Sequence, residues 1–397
     1  MLKKSLVMVS LLFPVILFQF CAKNNEPVIP ADLYTAVAAA FGNSINPVAL
    51  SNYANQTRPP YITKDNGGGN PIINSKATLG RVLFYDKNLS IDNSISCASC
   101  HKQAFAFGDT AIASRGVSGG VTGRHSMRLI NSRFSVETKF FWDERALTLE
   151  TQTTQPVKDH AEMGFSGQAG RPAISTLLTK LAGLNYYKEV FQFVYGDVAV
   201  TEERLQECLS QFIRSIQSFD AKYDTGRALA ANDGQPFLNF TAQENNGKDL
   251  FLRPAVFDGN GSRINGGLGC GGCHRAPEFD IDPNSNNNGV IANISGVGVD
   301  ISNTRAPSLR DLLSPAGVPN TAMMHTGVFT TLQAVLEHYG TINIAPGNNR
   351  LDNRLRPNNV GQRLNLNATE VNAVIAFLKT LSGNNVYTDA RWSDPFK

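Results

Sequence analysis

The chain has 397 residues, of which 42% are hydrophobic and 17% charged, and a formal net charge of +3 at pH 7. This composition is typical of a globular protein large enough for more than one domain. The weak positive charge and the lack of a run of Lys and Arg argue against nucleic-acid binding.

The first 21 residues have the pattern of an export signal. Lys3 and Lys4 precede an apolar run over residues 6–20, which is short for a membrane span of about 20 residues. Cys21 follows directly, as in bacterial lipoprotein signals, although Phe20 stands where a small residue is usual. We therefore predict export to the periplasm or cell envelope. Lipid anchoring through Cys21 and ordinary cleavage both stay open.

The next segment, residues 22–75, contains clusters of Pro, Asn and Gly. These residues favour turns and loops, so the segment is predicted to be a mobile linker or N-terminal extension with one short helix near residues 31–41. Denser apolar patterning begins at Ala77 and predicts a first domain over residues 76–230. A second domain is predicted over residues 236–385.

Two Cys-x-x-Cys-His motifs carry the clearest chemistry in the chain. This pattern is the signature of covalent c-type haem attachment, in which two sulfurs add to the vinyl groups and the His binds the iron. A zinc site would need a further C-x-x-C or H-x3-5-H pair, and none remains in the sequence. The residues predicted to hold two haems are Cys97, Cys100 and His101, followed by Cys270, Cys273 and His274.

Helical periodicity dominates over strand signals. Apolar residues of the segment 201–219 recur at i, i+3, i+4 and i+7, which places Cys208 on the buried face as a structural thiol. In the last helix Asn367 forms a cap with Glu370 three residues on, and Gly383 is the predicted end. The predicted fold class is therefore mainly α with long irregular loops.

A block of polar and aromatic residues between the two motifs suits peroxide chemistry. Cleavage of peroxide at a haem needs a group that moves a proton between the two oxygens. Glu162 is the candidate acid/base group, and burial would raise its pKa toward a useful value. Gln152 could orient peroxide, and Trp142 could carry electrons between the haems. Each also has an ordinary interpretation, since a lone Glu is usually solvated and a lone Trp usually belongs to the core.

Several segments together resemble the bacterial di-haem cytochrome c peroxidase family. The similarity spans about residues 77–382 and is more specific than any one motif. The segments are 79–86, 89–90, 94–96, 141–146, 152–156, 162–163, 305–310 and 324–327.

The resemblance implies two cytochrome c-like domains, each with one covalent haem c. The haem at His101 would be the peroxidatic centre, and the haem at His274 would receive electrons from a small periplasmic cytochrome c or cupredoxin. By position, Glu162 and Gln152 match the distal-pocket residues of the family, and Trp142 matches the tryptophan between the haems. The resemblance also allows for a homodimer.

The distal ligand of the second haem distinguishes branches of this family. The usual position of a Met ligand falls on Tyr339, and a Tyr at this place resembles MauG-like enzymes, which oxidise residues of a partner protein. The spacing of Leu332, Leu336 and Tyr339 independently places Tyr339 on the apolar face of its helix. Met324 is the competing ligand, and a core Tyr is the remaining interpretation.

Two other positions depart from the family pattern. Many members cap the first haem at rest with a loop His, whose expected place sixteen residues after His101 is Val117, so we expect an open first haem. His125 is the other candidate cap. The family also binds calcium between the haems, with an Asn directly after the Arg that corresponds to Arg124. His125 stands there instead and is a poor ligand for a hard cation, but carbonyl oxygens near Asn320 and Ala322 could still contribute, so calcium binding stays open.

These observations leave three functions. The first is a peroxidase that reduces hydrogen peroxide at the first haem with electrons relayed through the second haem. The second is a MauG-like oxidase that modifies a partner protein, and the third is a non-enzymatic di-haem electron carrier. Glu162 and Gln152 argue against the carrier. Tyr339 and Val117 favour the oxidase, whereas the family as a whole favours the peroxidase.

Overall fold

The structure is a computed structural model that describes residues 31–396. The predicted export signal, including Cys21, lies outside these residues. Helices dominate the described part of the chain, and its only sheets are two pairs of short antiparallel strands. The mainly α prediction is confirmed. Between residues 31 and 396, no helix is long and apolar enough to cross a membrane.

The α-helices are short and follow the chain in order. They are α1 (Thr35–Phe41), α2 (Asn74–Tyr85), α3 (Cys97–Cys100), α4 (Leu149–Thr153), α5 (Gln155–Lys158), α6 (Ile174–Gly183), α7 (Asn185–Tyr195), α8 (Glu202–Ser215), α9 (Lys222–Leu229), α10 (Ala242–Leu252), α11 (Leu332–Gly340) and α12 (Ala368–Lys379). Single 3-10 turns lie at Ala31–Tyr34, Lys87–Leu89, Gln103–Phe105, Val117–Gly119, Cys270–Gly272, Asn353–Leu355, Pro357–Asn359, Asn385–Tyr387 and Ala390–Trp392.

The strands occur only in the second half of the described chain. Strand β1 (Ala255–Phe257) pairs with β2 (Arg263–Gly266), and β3 (His274–Arg275) pairs with β4 (Asp280–Ile281). In the second pair His274 lies opposite Ile281, so the backbone of the second motif's His is fixed by a ladder.

The first hydrophobic core is built around a close contact between α2 and α8. A Cβ atom on Gly80 of α2 would lie 1.9 Å from the carbonyl oxygen of Cys208 and 2.8 Å from Cβ of Phe212. Only a residue without a side chain permits this approach of the two backbones. Cys208 is fully buried there, which confirms the prediction of a buried thiol.

The second core repeats this contact between α10 and α12. A Cβ atom on Gly247 would lie 1.9 Å from the carbonyl oxygen of Ala373 and 3.0 Å from Cβ of Phe377. In both cores the glycine stands three residues before a buried Leu-Phe pair, and a Cys-x-x-Cys-His motif follows the helix. The weak internal repeat of the sequence therefore has a common packing basis.

Two helices end earlier than the sequence patterns predict. Helix α8 begins at a Thr201 cap but stops at Ser215, before the end of the periodic segment 201–219. Helix α12 has the expected reciprocal cap between Asn367 and Glu370 but stops at Lys379 rather than near Gly383. The hydroxyl of Thr380 donates to a carbonyl of the last turn, and the backbone N–H of Gly383 donates to a carboxylate instead of continuing the helix.

The described part of the N-terminal extension is packed against the first core rather than free, which corrects the linker prediction for residues 31–75. Val37, Phe41 and Tyr53 are buried in this core. The Glu189 carboxylate of α7 accepts hydrogen bonds from the first turn of α1. At the other end of the chain Trp392 also joins the first core. The predicted boundaries at 76–230 and 236–385 stay predictions.

We expect Gly80→Ala to lower the free energy of unfolding by about 1–3 kcal/mol, because the added methyl group forces α2 away from α8. Gly183→Ala is the matched control, since a Cβ atom at this helical glycine would meet nothing within 4 Å. Thermal unfolding followed by circular dichroism measures both. Equal melting temperatures for the two variants would show that the close helix contact does not matter for stability.

Candidate functional site

Two large cavities lie beside the two Cys-x-x-Cys-His motifs. The first cavity, of about 680 Å³, is lined by His101, Gln152 and Glu162, and a small adjoining space is lined by Cys97 and Cys100. The second cavity, of about 380 Å³, is lined by the other motif, Cys270, Cys273 and His274. Both volumes lie in the range of cofactor pockets.

The first motif forms one helical turn whose imidazole lines the first cavity and whose two sulfurs line the small adjoining space. Helix α3 begins after a reciprocal cap between Ser96 and Ser99, and His101 follows its last residue. Nδ1 of His101 lies 3.1 Å from the carbonyl oxygen of Phe107, which fixes the ring and leaves Nε2 available as a ligand. Burial lowers the pKa of His101, so its imidazole is neutral, as iron ligation requires.

The second motif lines its cavity from a 3-10 turn and strand β3. Burial lowers the pKa of His274 to about 4, and its Nδ1 is buried without a hydrogen-bond partner. The ring is therefore neutral and suited to a metal ligand. Within residues 31–396 no group of three or more His, Cys, Asp or Glu could hold a metal ion by itself.

The distal-pocket candidates come together in the first cavity. Helix α4 supplies Gln152, and the loop after α5 supplies Glu162. Burial, assisted by the nearby Asp159 carboxylate and opposed by Arg145, raises the pKa of Glu162 to about 7. A carboxyl group with this pKa can both accept and donate a proton near neutral pH.

The loop position expected to hold a capping His is a buried part of the distal wall. Val117 is 1% exposed, and its backbone N–H donates to the carbonyl oxygen of Glu162 at 2.9 Å. A Cβ atom on Gly116 would lie 1.9 Å from the carbonyl oxygen of Ala161, so the loop backbone lies directly on this segment. The loop therefore supports the backbone of Glu162.

Trp142 lies between the two cavities and lines both of them. Its indole N–H donates to the carbonyl oxygen of His125 at 2.7 Å, and its ring centroid lies 6.2 Å from that of His325. The backbone N–H of His125 donates to the carbonyl oxygen of His325 at 2.7 Å. The position of Trp142 is thus fixed by backbone contacts between the two halves of the chain.

The residues around His125 do not fit a calcium ion. Nδ1 of His125 lies 3.0 Å from the carbonyl oxygens of both Ala111 and Ile112, so this nitrogen carries the proton. The carboxylates of Asp143 and Asp300 are each paired with Arg124, the residue before His125, at 2.7 Å. A neutral imidazole and carboxylates already paired with an arginine are poor ligands for a hard divalent cation.

Both candidate distal ligands line the second cavity. Helix α11 begins at the Thr331 cap and carries Tyr339 on its inward face, as predicted. The side-chain amide of Asn288 donates at 3.0 Å to the Tyr339 hydroxyl and lies 3.0 Å from the sulfur of Met324. His338 turns away and bonds the backbone carbonyl of Asn288. The side-chain amide of Asn288 therefore contacts both candidate distal ligands.

Two residues of this arrangement were missed in the sequence. Asn288 belongs to an Asn-rich loop that reads as a surface turn, and no local pattern distinguishes it from its neighbours. His325 was noted only as part of a motif, whereas in the structure its ring packs against Trp142. In the sequence, only its place in the segment 324–327 of the family resemblance pointed to His325.

Comparison with known proteins agrees with this geometry. Residues 74–231 match the family model of the di-haem cytochrome c peroxidases. The matched family is di-haem, which implies haem c as the cofactor, and its cytochrome c peroxidases are oxidoreductases. The chain is accordingly an oxidoreductase that is similar to this family.

Relatives extend over most of the chain. MauG, a methylamine utilization protein of Methylophilus methylotrophus, is 26% identical over 322 residues, which cover 79% of this chain and 84% of the relative. The cytochrome c551 peroxidase of Nitrosomonas europaea is 26% identical over 78% of this chain and 80% of its own length. A crystal structure of a MauG-like protein associated with microbial copper homeostasis matches with a TM-score of 0.63 and 26% identity. That match covers 86% of this chain and 99% of the other chain.

We expect Tyr339→Phe to change the spectrum of one haem and leave the other haem unchanged, because it removes the only oxygen donor that α11 offers to the second cavity. Met324→Leu should leave both spectra unchanged. Visible absorption and electron paramagnetic resonance of the oxidised protein measure this. A spectral change in Met324→Leu with no change in Tyr339→Phe would identify Met324 as the ligand. Tyr387→Phe is the control for nonspecific effects, because Tyr387 lies outside both cavities.

Proposed function

We propose that the chain is a di-haem c-type peroxidase, which reduces hydrogen peroxide at the first haem with electrons relayed through the second. The observation that carries this proposal is the convergence of Glu162 and Gln152 on the cavity that His101 lines. A simple electron carrier has no use for a protonatable carboxyl group in an accessible distal cavity.

The two motifs would hold the haems. Cys97 and Cys100 attach the first haem and His101 binds its iron, while Cys270, Cys273 and His274 do the same for the second. Cavities of haem-compatible size and neutral imidazoles support this assignment. When bound, the first haem supplies an iron that coordinates peroxide and accepts oxidising equivalents.

The chain's own residues would handle the protons. Glu162 takes the proton from the bound peroxide oxygen and returns it to the departing oxygen, which leaves as water. Gln152, in the same cavity, orients the peroxide by hydrogen bonding. Because the pKa of Glu162 is about 7, neither transfer is strongly uphill at neutral pH.

Electrons would enter through the second haem and pass Trp142. The indole lies between the cavities, and its hydrogen bond to the His125 carbonyl restrains the ring. The donor is proposed to be a small periplasmic cytochrome c or cupredoxin. This assignment requires export, which the predicted signal over residues 1–21 would provide.

A second candidate function is a MauG-like oxidase that acts on a partner protein. The observation that favours it is the Tyr339 hydroxyl in the second cavity, together with Val117 at the place of a capping His. A tyrosinate ligand is anionic and would lower the potential of the second haem relative to a Met ligand. Such a haem stores an oxidising equivalent better than it relays electrons.

We expect the rate of the reaction with peroxide to rise as the pH increases through about 7, because only the ionised form of Glu162 accepts the peroxide proton. Glu162→Gln should slow this reaction by about 10²–10⁴-fold and remove the pH dependence. Stopped-flow absorption of the haems at several pH values measures both effects.

Glu144→Gln is the matched control for this experiment. Burial also raises the pKa of Glu144, but this residue does not line either cavity. Its substitution should leave the rate and the pH profile unchanged. A Glu162→Gln variant as fast as the wild type would exclude Glu162 as the acid/base group and remove the main support for the peroxidase.

A further inference from the structure

Two adjacent tyrosines at the start of α7 share one carboxylate oxygen. The hydroxyls of Tyr186 and Tyr187 donate to Oδ2 of Asp86 at 2.7 and 2.8 Å. The other oxygen, Oδ1, accepts from the backbone N–H and the side-chain amide of Asn88 at 2.8 and 2.9 Å. Asp86 is buried, so its carboxylate depends on these four donors for stabilisation.

These tyrosines lead from the first motif toward the surface. Tyr187 is fully buried in the first core, and Cys97 of the first motif packs against the same core. The ring centroids of Tyr187 and Tyr186 lie 4.7 Å apart. Tyr186 is half-buried, and its ring neighbours Phe41 and Phe396, of which Phe396 is 39% exposed.

We propose that Tyr187 and Tyr186 form a one-electron relay between the first haem and the protein surface, at which small phenolic donors reduce the enzyme. The inference rests on the proposed function, since hydrogen peroxide acting on the first haem is the oxidant. The exposed edge of Phe396 beside Tyr186 provides an aromatic surface suited to a phenol.

Asp86 accepts and returns the phenolic protons, so that each electron transfer is accompanied by a proton transfer. Tyr187 gives one electron to the peroxide-oxidised haem and its phenolic proton to Oδ2 of Asp86, which leaves a neutral tyrosyl radical. Tyr186 then gives one electron to Tyr187 and its proton to Asp86, while Asp86 returns the first proton to Tyr187. A phenol finally gives an electron to Tyr186, Asp86 returns the remaining proton, and the phenol loses its own proton to water.

Burial supports this coupling of electron and proton. It raises the pKa of both tyrosines, and the Asp86 carboxylate raises it further, so neither phenol ionises in advance. An electron can then leave only together with the proton, and the acceptor already lies at hydrogen-bonding distance. Because both phenols use the same oxygen, transfer of the radical between them requires no further proton acceptor.

To test this proposal, the haem-loaded protein is treated with hydrogen peroxide in the absence of a phenolic electron donor and frozen rapidly. Its electron paramagnetic resonance spectrum is then recorded. Protein grown on ring-deuterated tyrosine should show a narrowed radical signal, which identifies a tyrosyl radical. The signal should be lost in Tyr187→Phe. In Tyr186→Phe it should persist, but oxidation of the phenol guaiacol should be lost.

Tyr195→Phe is the matched control. Tyr195 lies on the same helix, is half-buried and also donates to a carboxylate, that of Glu207 at 3.0 Å, but it does not contact Asp86. Its substitution should leave both the radical and guaiacol oxidation unchanged. Absorption spectra of all variants verify that both haems are loaded, so that a misfolded variant is not mistaken for a broken relay.

The outcomes separate the relay from the proposed function. If peroxide oxidises the haem but no tyrosyl radical forms, or if the radical survives in Tyr187→Phe, the relay is wrong and the peroxidase stands. If guaiacol oxidation is as fast in Tyr186→Phe as in the wild type, phenols do not reduce the enzyme through Tyr186. If peroxide leaves the haem spectra unchanged, the proposed function fails and the relay fails with it.

Discussion

Close contact between two helix backbones is the constraint on which both halves of the molecule depend. At Gly80 and again at Gly247, a helix lies against a carbonyl of its partner with no room for a side chain. In each half the Cys-x-x-Cys-His motif follows this helix in the chain and packs against it, so the paired helices form the base on which the motif lies. The short, loop-rich elements that follow need such a rigid base, because helices of one turn have little stability of their own.

A main-chain hydrogen bond joins the two halves at the cavity walls, where the N–H of His125 donates to the carbonyl oxygen of His325. The carbonyl oxygen of His125 in turn accepts from the indole N–H of Trp142. Because these bonds involve backbone atoms, the position of the indole does not depend on the side chain at residue 125. This explains how the chain can carry an imidazole at a place where the related family has a calcium ligand and still keep the tryptophan between the cavities.

The sequence predicted the features that depend on local spacing. The buried face of α8 with Cys208, the caps of α12 and the inward direction of Tyr339 follow from helical periodicity, and the structure agrees. Helix ends, the packed segment 31–75 and the role of Asn288 were not predictable, because they depend on tertiary contacts. A carboxylate that accepts the N–H of Gly383, or a loop amide that reaches α11, leaves no periodic signal in the chain.

Asn288 also bears on the choice between the two candidate functions. Its amide donates to the Tyr339 hydroxyl and lies equally close to the Met324 sulfur, which is a weak acceptor. A hydrogen bond to an anionic oxygen is roughly twice as strong as one to a neutral group, so the amide stabilises a tyrosinate more than it assists a thioether. Burial opposes ionisation of Tyr339, and only the charge of a ferric iron would offset that cost. With Tyr339 as its ligand, the second haem would be held best in an oxidised state, which is the property that the proposed oxidase needs and the proposed peroxidase relay does not.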